Sequence, residues 1–159
     1  RSLDDGVRHL QRIGHDAVEE VALRAARQHR DADVVVGFGV GAMQAQILAQ
    51  DVRRIRGCLL FGGALPPASL GGMWRTSVAL EIHLADPDEY VNPSDLDGLL
   101  YHAPHAHVYR YKRNRHLFVD RCSRDYDGDA ADLFEERLDS WLADLDEQAA
   151  ERELASHGF

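Results

Sequence analysis

The sequence predicts an α/β protein, a three-layer α/β/α sandwich whose mostly parallel sheet has about four strands. Two observations predict it. Helical and strand-like segments alternate in the order ααβαβ–β–αβ–α, and strands joined through helices run parallel, with helices on both faces. The strand-like strings Val34–Val36 and Cys58–Phe61 are apolar without alternation, the pattern of strands covered on both sides.

The elements follow in order. Leu3–Ile13 reads as a short helix that Gly14 stops. Asp16 and Glu19 have capping-box spacing, and Val18, Val21, Ala22 and Ala25 form an apolar face, which predicts a helix over 16–30. Residues 33–38 form an interior parallel strand, Gly39–Gly41 a tight turn, and Ala42–Gln50 a helix. Ile55–Phe61 is a second strand. Pro66, Pro67, Gly71 and Gly72 make residues 63–76 a loop, and Val78–Leu84 is the third strand. Asn92, Pro93 and Asp95 supply a cap, a first-turn proline and an early acid for a helix to about residue 101. Ala106–Lys112 is the fourth strand, residues 113–126 are loop, and the last helix runs from Gly128 to about Gln148. Residues 1–148 thus form one domain, and 149–159 an acidic, frayed tail.

Composition narrows the function. With 159 residues, the chain is long enough for a real core. Its formal charge of −9 argues against a general affinity for phosphates or anionic lipid, and no apolar run is long enough to span a membrane. The expectation is a protein binding neither nucleic acid nor membrane. Two cysteines are too few for a disulfide framework, so a reducing cytoplasm is the expected compartment, with Cys58 in the core. The chain begins with Arg1 rather than Met, and no signal-type apolar region follows, which is expected of a processed or trimmed start.

The strand–turn–helix at 34–50 admits two chemical readings. Gly37, Gly39 and Ala42 match a dinucleotide fingerprint, but Gly57–Gly63 lacks the acid that would hold a ribose. The other reading is a nucleophile elbow, G-x-S-x-G, with Gly39 where the nucleophile belongs. Gly37 and Gly41 are the small residues flanking the sharp turn, and the Val40 amide would face an oxyanion. A glycine-rich turn without chemistry is the plain alternative. The later loops favour the elbow, because its acid and histidine follow in that order at the ends of later strands. Asp88 follows the third strand and His116 the fourth.

At these positions the sequence resembles the dienelactone hydrolase family of α/β-hydrolases, over roughly residues 3–145. Val35–Gln46 resembles the family's elbow and following helix, and Arg56–Gly63 its next strand. Ile82–Val91 resembles the acid loop, with His83 leading it, and His116–Asp120 with Asp125–Asp127 resembles the histidine loop. The resemblance implies hydrolysis of a small ester or lactone without metal or cofactor. Asp88 would be the acid, His116 the proton shuttle and the Val40 amide an oxyanion donor. The family has Cys or Ser at the elbow, and Gly39 offers no attacking atom, so the chain is expected to be impaired. A non-catalytic small-molecule-binding or assembly homologue is the alternative. The family also has strands before the elbow strand. The freed edge of that strand is therefore expected to be covered by a second copy of the chain, by the N-terminal helices or by an upstream segment.

Other constellations carry less. His102, His105 and His107 could be metal ligands: His105 and His107 would share a strand face, but Pro104 breaks any regular face for His102, and a polar strand entry explains them as well. The basic run 110–115 with Tyr109 and Tyr111 could stack on bases but also suits a solvated loop. His83 reads as a packed histidine. Trp74 and Met73 suit either a pocket wall or core packing, and Trp141 has a helical core position.

Overall fold

The computed structural model describes residues 3–112 and 114–156. The chain divides into two compact units, 1–116 and 117–159. The first begins with two helices, α1 (Leu3–Ile13) and α2 (His15–Gln28), followed by β1 (Val34–Phe38), α3 (Val40–Asp51) and β2 (Gly57–Phe61). A 3-10 turn at Pro67–Leu70 then leads to β3 (Ala79–Asp86), α4 (Pro93–His102) and β4 (His107–Lys112).

The four strands form one sheet in the order β1-β2-β3-β4, with every neighbouring pair parallel. Register explains the doubly apolar strings. Val35, Cys58 and Leu80 lie side by side, as do Leu60, Ile82 and Val108. These residues share a core with Ala42, Ala45 and Ala49 of α3 and Leu96 and Leu99 of α4. The opposite face carries Leu59, Phe61, Glu81, His83 and Tyr111, all buried as well. Burial pushes the Cys58 thiol's pKa far up, because the thiolate would be desolvated there. Trp74 also belongs to the core, which decides it against a pocket wall, whereas Met73 is exposed.

Several expectations are corrected. Residues 33–38 do not form an interior strand: β1 is the edge of this sheet, and Val36 and Phe38 are 41% and 48% exposed. The Asp16–Glu19 capping box does not form. Gly14, at a φ of 83°, is itself the junction between α1 and α2, so α2 starts at His15 and Asp16 lies inside its first turn. There a carboxylate favours the helix dipole instead of capping. No residue of α2 is buried, and Val21 and Ala25 of its expected apolar face are exposed. At α4 the expected cap does form, with Asn92 Oδ1 accepting from the Ser94 amide at 3.0 Å.

The second unit is a run of turns followed by α5 (Gly128–Ser156). The helix continues eight residues past the expected end near Gln148, because Ala, Glu, Arg and Leu carry it on with no Gly or Pro to stop it. Phe118, Trp141 and Leu145 are buried. Among the described residues, no helix is long and apolar enough to cross a membrane.

Candidate active site

In a parallel sheet all strands end on the same side, and the loops after those ends form the natural crevice for chemistry. Gly39 follows β1, Asp88 follows β3 and His116 follows β4. The parallel sheet therefore gathers at one end three positions that the sequence scatters.

The elbow is a single-residue turn. Its bounds were expected at Gly39–Gly41, but α3 begins already at Val40, leaving Gly39 alone between strand and helix. Gly39 has φ 53° and ψ −117°, a conformation that strains any residue with a Cβ. Its amide donates to the Phe61 carbonyl at 2.8 Å, which continues the β1–β2 ladder into the turn. The flanking glycines differ. A Cβ on Gly37 would come within 2.2 Å of the Gly41 carbonyl oxygen, so the turn closes only around glycine there. A Cβ on Gly41 would meet nothing within 4 Å, which corrects the expectation that both flanking positions must be small. Val40 occupies the first helical position, where an amide has no acceptor within its own helix.

A Cβ built on Gly39 points at His116, with Nε2 3.8 Å away and, among the described residues, no other non-neighbouring atom within 4 Å. The other ring nitrogen, Nδ1, donates to the Asp88 carboxylate, 3.0 Å from each oxygen. A carboxylate can only accept, so this contact assigns the proton to Nδ1 and leaves the Nε2 lone pair facing the elbow. Both side chains are nearly buried, at 8% exposure for His116 and 4% for Asp88. Asp88 also accepts from the Tyr90 amide at 3.1 Å, which fixes the carboxylate's orientation.

Two contributors, Gly62 and Tyr90, escape the sequence reading, and a third, His83, does more than its packed position implies. Gly62, at a φ of 64°, makes room for the imidazole, because a Cβ there would lie 2.7 Å from His116 Cε1. Tyr90 packs its ring against that of His116, with centroids 4.7 Å apart and the planes tilted by 50°. His83 is buried as expected, but it anchors a polar cluster. Its Nε2 contacts Glu81 Oε1 at 3.0 Å and its Nδ1 the Tyr111 hydroxyl at 2.8 Å. The His83 carbonyl accepts from the Gly62 amide at 2.9 Å, so this cluster sits one backbone bond from the residue beside His116. Gly62 could have been found only by knowing which ring it faces. The Glu81–His83 spacing of two in a strand was a visible sign that their side chains share a face.

His102 ends α4 and His107 opens β4. Among the described residues no three His, Cys, Asp or Glu side chains are grouped to hold a metal ion.

The sequence model of the dienelactone hydrolase family matches residues 5–145. Among curated proteins there is no match. Solved structures share the fold. A dienelactone hydrolase-like promiscuous phosphotriesterase from metagenomic libraries aligns at 16% identity and a TM-score of 0.63, covering 91% of this chain and 67% of its own. The esterase domain of a Rhodothermus marinus protein aligns at 15% identity and a TM-score of 0.57, covering 81% of this chain and 67% of its own. A Klebsiella pneumoniae protein of provisional dienelactone hydrolase assignment gives 17% identity and a TM-score of 0.59, covering 79% of this chain and 58% of its own. The chain thus spans about three-fifths to two-thirds of the length of these relatives. They share with it the α/β-hydrolase fold, a three-layer α/β/α architecture.

Proposed function

The chain belongs to the dienelactone hydrolase family, and on that premise we propose that its site is organised to hydrolyse a small dissolved ester or lactone in the cytoplasm, and that this chain turns over weakly because Gly39 stands at the nucleophile position. One observation carries the reading: the Cβ direction of residue 39 meets His116 Nε2 at 3.8 Å while Asp88 holds Nδ1. That is the relation in which a side-chain oxygen or sulfur at residue 39 would give its proton to Nε2 and attack a carbonyl carbon. The Val40 amide would receive the oxyanion, and Asp88 would stabilise the imidazolium.

Gly39 itself favours a second reading, a homologue that binds the small molecule without converting it. Substitution separates the two. Gly39→Ser and Gly39→Cys should raise hydrolysis of a short activated ester by on the order of 10³-fold, and His116→Ala in the same chain should abolish the gain. A folded Gly39→Ser or Gly39→Cys chain with no gain favours binding alone. The outer edge of β1, with Val36 and Phe38 exposed, is the proposed seat of a second copy or of an upstream segment. A chain that sediments as a monomer with fast amide exchange at Val34 and Val36 would argue against a second copy.

A further inference from the structure

The space beside Gly39 has a chemistry of its own. Gly39 is half-buried and so open to solvent on one side. Among the described residues, His116 Nε2 is the sole non-neighbouring atom within 4 Å of where a Cβ would stand. The turn is closely packed against its neighbours. A Cβ on Gly63 would already be 3.0 Å from the Gly39 carbonyl oxygen, and Gly37 lies directly beneath Gly41 and Ala42. A donor hydrogen-bonded to Nε2 lies about 2.8 Å from it, which puts its heavy atom where a side-chain nucleophile would be.

We infer that this site takes its nucleophile from solution: a protic molecule of one or two heavy atoms, water or hydroxylamine-sized, binds on His116 Nε2 beside Gly39 and attacks the acyl group in a single displacement. The inference rests on the hydrolase reading above. The proton balance closes on one residue. Nε2 accepts the proton of the incoming O–H or N–H as the new bond to the carbonyl carbon forms. The carbonyl oxygen takes the electron pair beside the Val40 amide. The tetrahedral species collapses by breaking the ester C–O bond, and Nε2–H returns its proton to the departing alkoxide. With water the products are acid and alcohol, and with hydroxylamine a hydroxamic acid and alcohol. No acyl group is attached to the protein at any step.

The consequence is a size limit. The site should favour hydroxylamine over N-tert-butylhydroxylamine, and a methyl group at residue 39 should compete with both.

The test uses the unaltered chain, p-nitrophenyl acetate and increasing hydroxylamine, with hydroxamate measured directly. Hydroxamate formation should saturate in hydroxylamine and exceed that of the His116→Ala chain by on the order of a hundredfold. N-tert-butylhydroxylamine should give only the His116→Ala rate, and Gly39→Ala, if folded, should fall towards it. If Gly39→Ala does not fold, the size series on the unaltered chain decides alone. A rate linear in hydroxylamine and equal in the unaltered and His116→Ala chains overturns the inference. Gly39→Ser separates the two failures. If it hydrolyses the ester while the unaltered chain makes no excess hydroxamate, the hydrolase reading stands and this inference falls. If neither acts, both fall.

Discussion

The two sides of the candidate site are built by different means. The elbow side is made of backbone: a one-residue turn at Gly39, a Gly37 with no room for a side chain, and a helix amide at Val40. It sits at the end of an edge strand whose Val36 and Phe38 face solvent. The acid–histidine side is made of buried polar side chains that hold one another: Asp88 on His116, with Glu81, His83 and Tyr111 along the strands beneath. The difference teaches which part is easily lost. One substitution at residue 39 adds or removes an attacking atom while the backbone relation survives. Removing a member of the buried side takes a hydrogen bond from a partner held in low dielectric, so each member carries a cost that the elbow side does not.

The sharpest way to break the elbow side is Gly37→Ala. Its Cβ would meet main-chain atoms of Gly41 and Ala42 at 2.2 to 2.7 Å, which no rotamer can relieve. The expected loss is about 4 kcal/mol or more, large enough to unfold a marginal domain, read from the urea midpoint. A midpoint within error of the parent would mean that the strand–helix turn does not close on Gly37.

The corresponding lever on the other side is Gly62→Ala. The new methyl strains a positive-φ position and presses on the imidazole. The chain should fold with a loss of about 1–3 kcal/mol. The His116 ring resonances should shift, and in a Gly39→Ser background ester hydrolysis should drop by about a hundredfold. An unmoved His116 signal would show that Gly62 does not set the ring's place.

How much of this was readable beforehand follows the same division. Alternation of helix and strand, the apolar strings and the Asn92–Pro93 cap marked the elements, because each is a local signal. Asp88 and His116 were reachable because a parallel sheet brings strand ends together, so their order in the chain carries spatial meaning. The edge position of β1 was not readable from the strand's own residues and followed only from the resemblance, whose missing early strands imply a freed edge there. Val34–Phe38 is equally apolar whether or not another strand lies outside it, and neighbour relations in a sheet are not local. The false capping box at Asp16 arose from placing the helix start one residue late. Gly62 and Tyr90 escaped because their significance lies in what they touch.

A milder probe of the buried side is Glu81→Ala. It removes the Glu81 contact to His83 Nε2 on a strand where both residues are buried, and should cost about 1–3 kcal/mol. Glu81→Gln keeps a carbonyl oxygen that can accept from Nε2 and should recover most of that loss. Equal losses in the two variants, by denaturant midpoint at constant slope, would mean that the hydrogen bond contributes nothing and only the shape of the side chain matters.

The smallest effect is the most discriminating for the elbow. Gly41 looks in sequence like the mirror of Gly37, yet a Cβ there meets nothing within 4 Å. It lies in the first turn of α3, where alanine replaces a flexible residue without strain. Gly41→Ala should therefore stabilise the chain by about 0.5–1 kcal/mol, through the lower helix entropy cost and a less mobile unfolded chain. Two glycines an equal distance from residue 39 would then respond with opposite signs. That asymmetry follows from a turn in which the helix starts at Val40, and a turn extending to Gly41 would not produce it. If Gly41→Ala destabilises instead, the helix begins later, and the Val40 amide no longer stands at the first helical position from which it could meet an oxyanion.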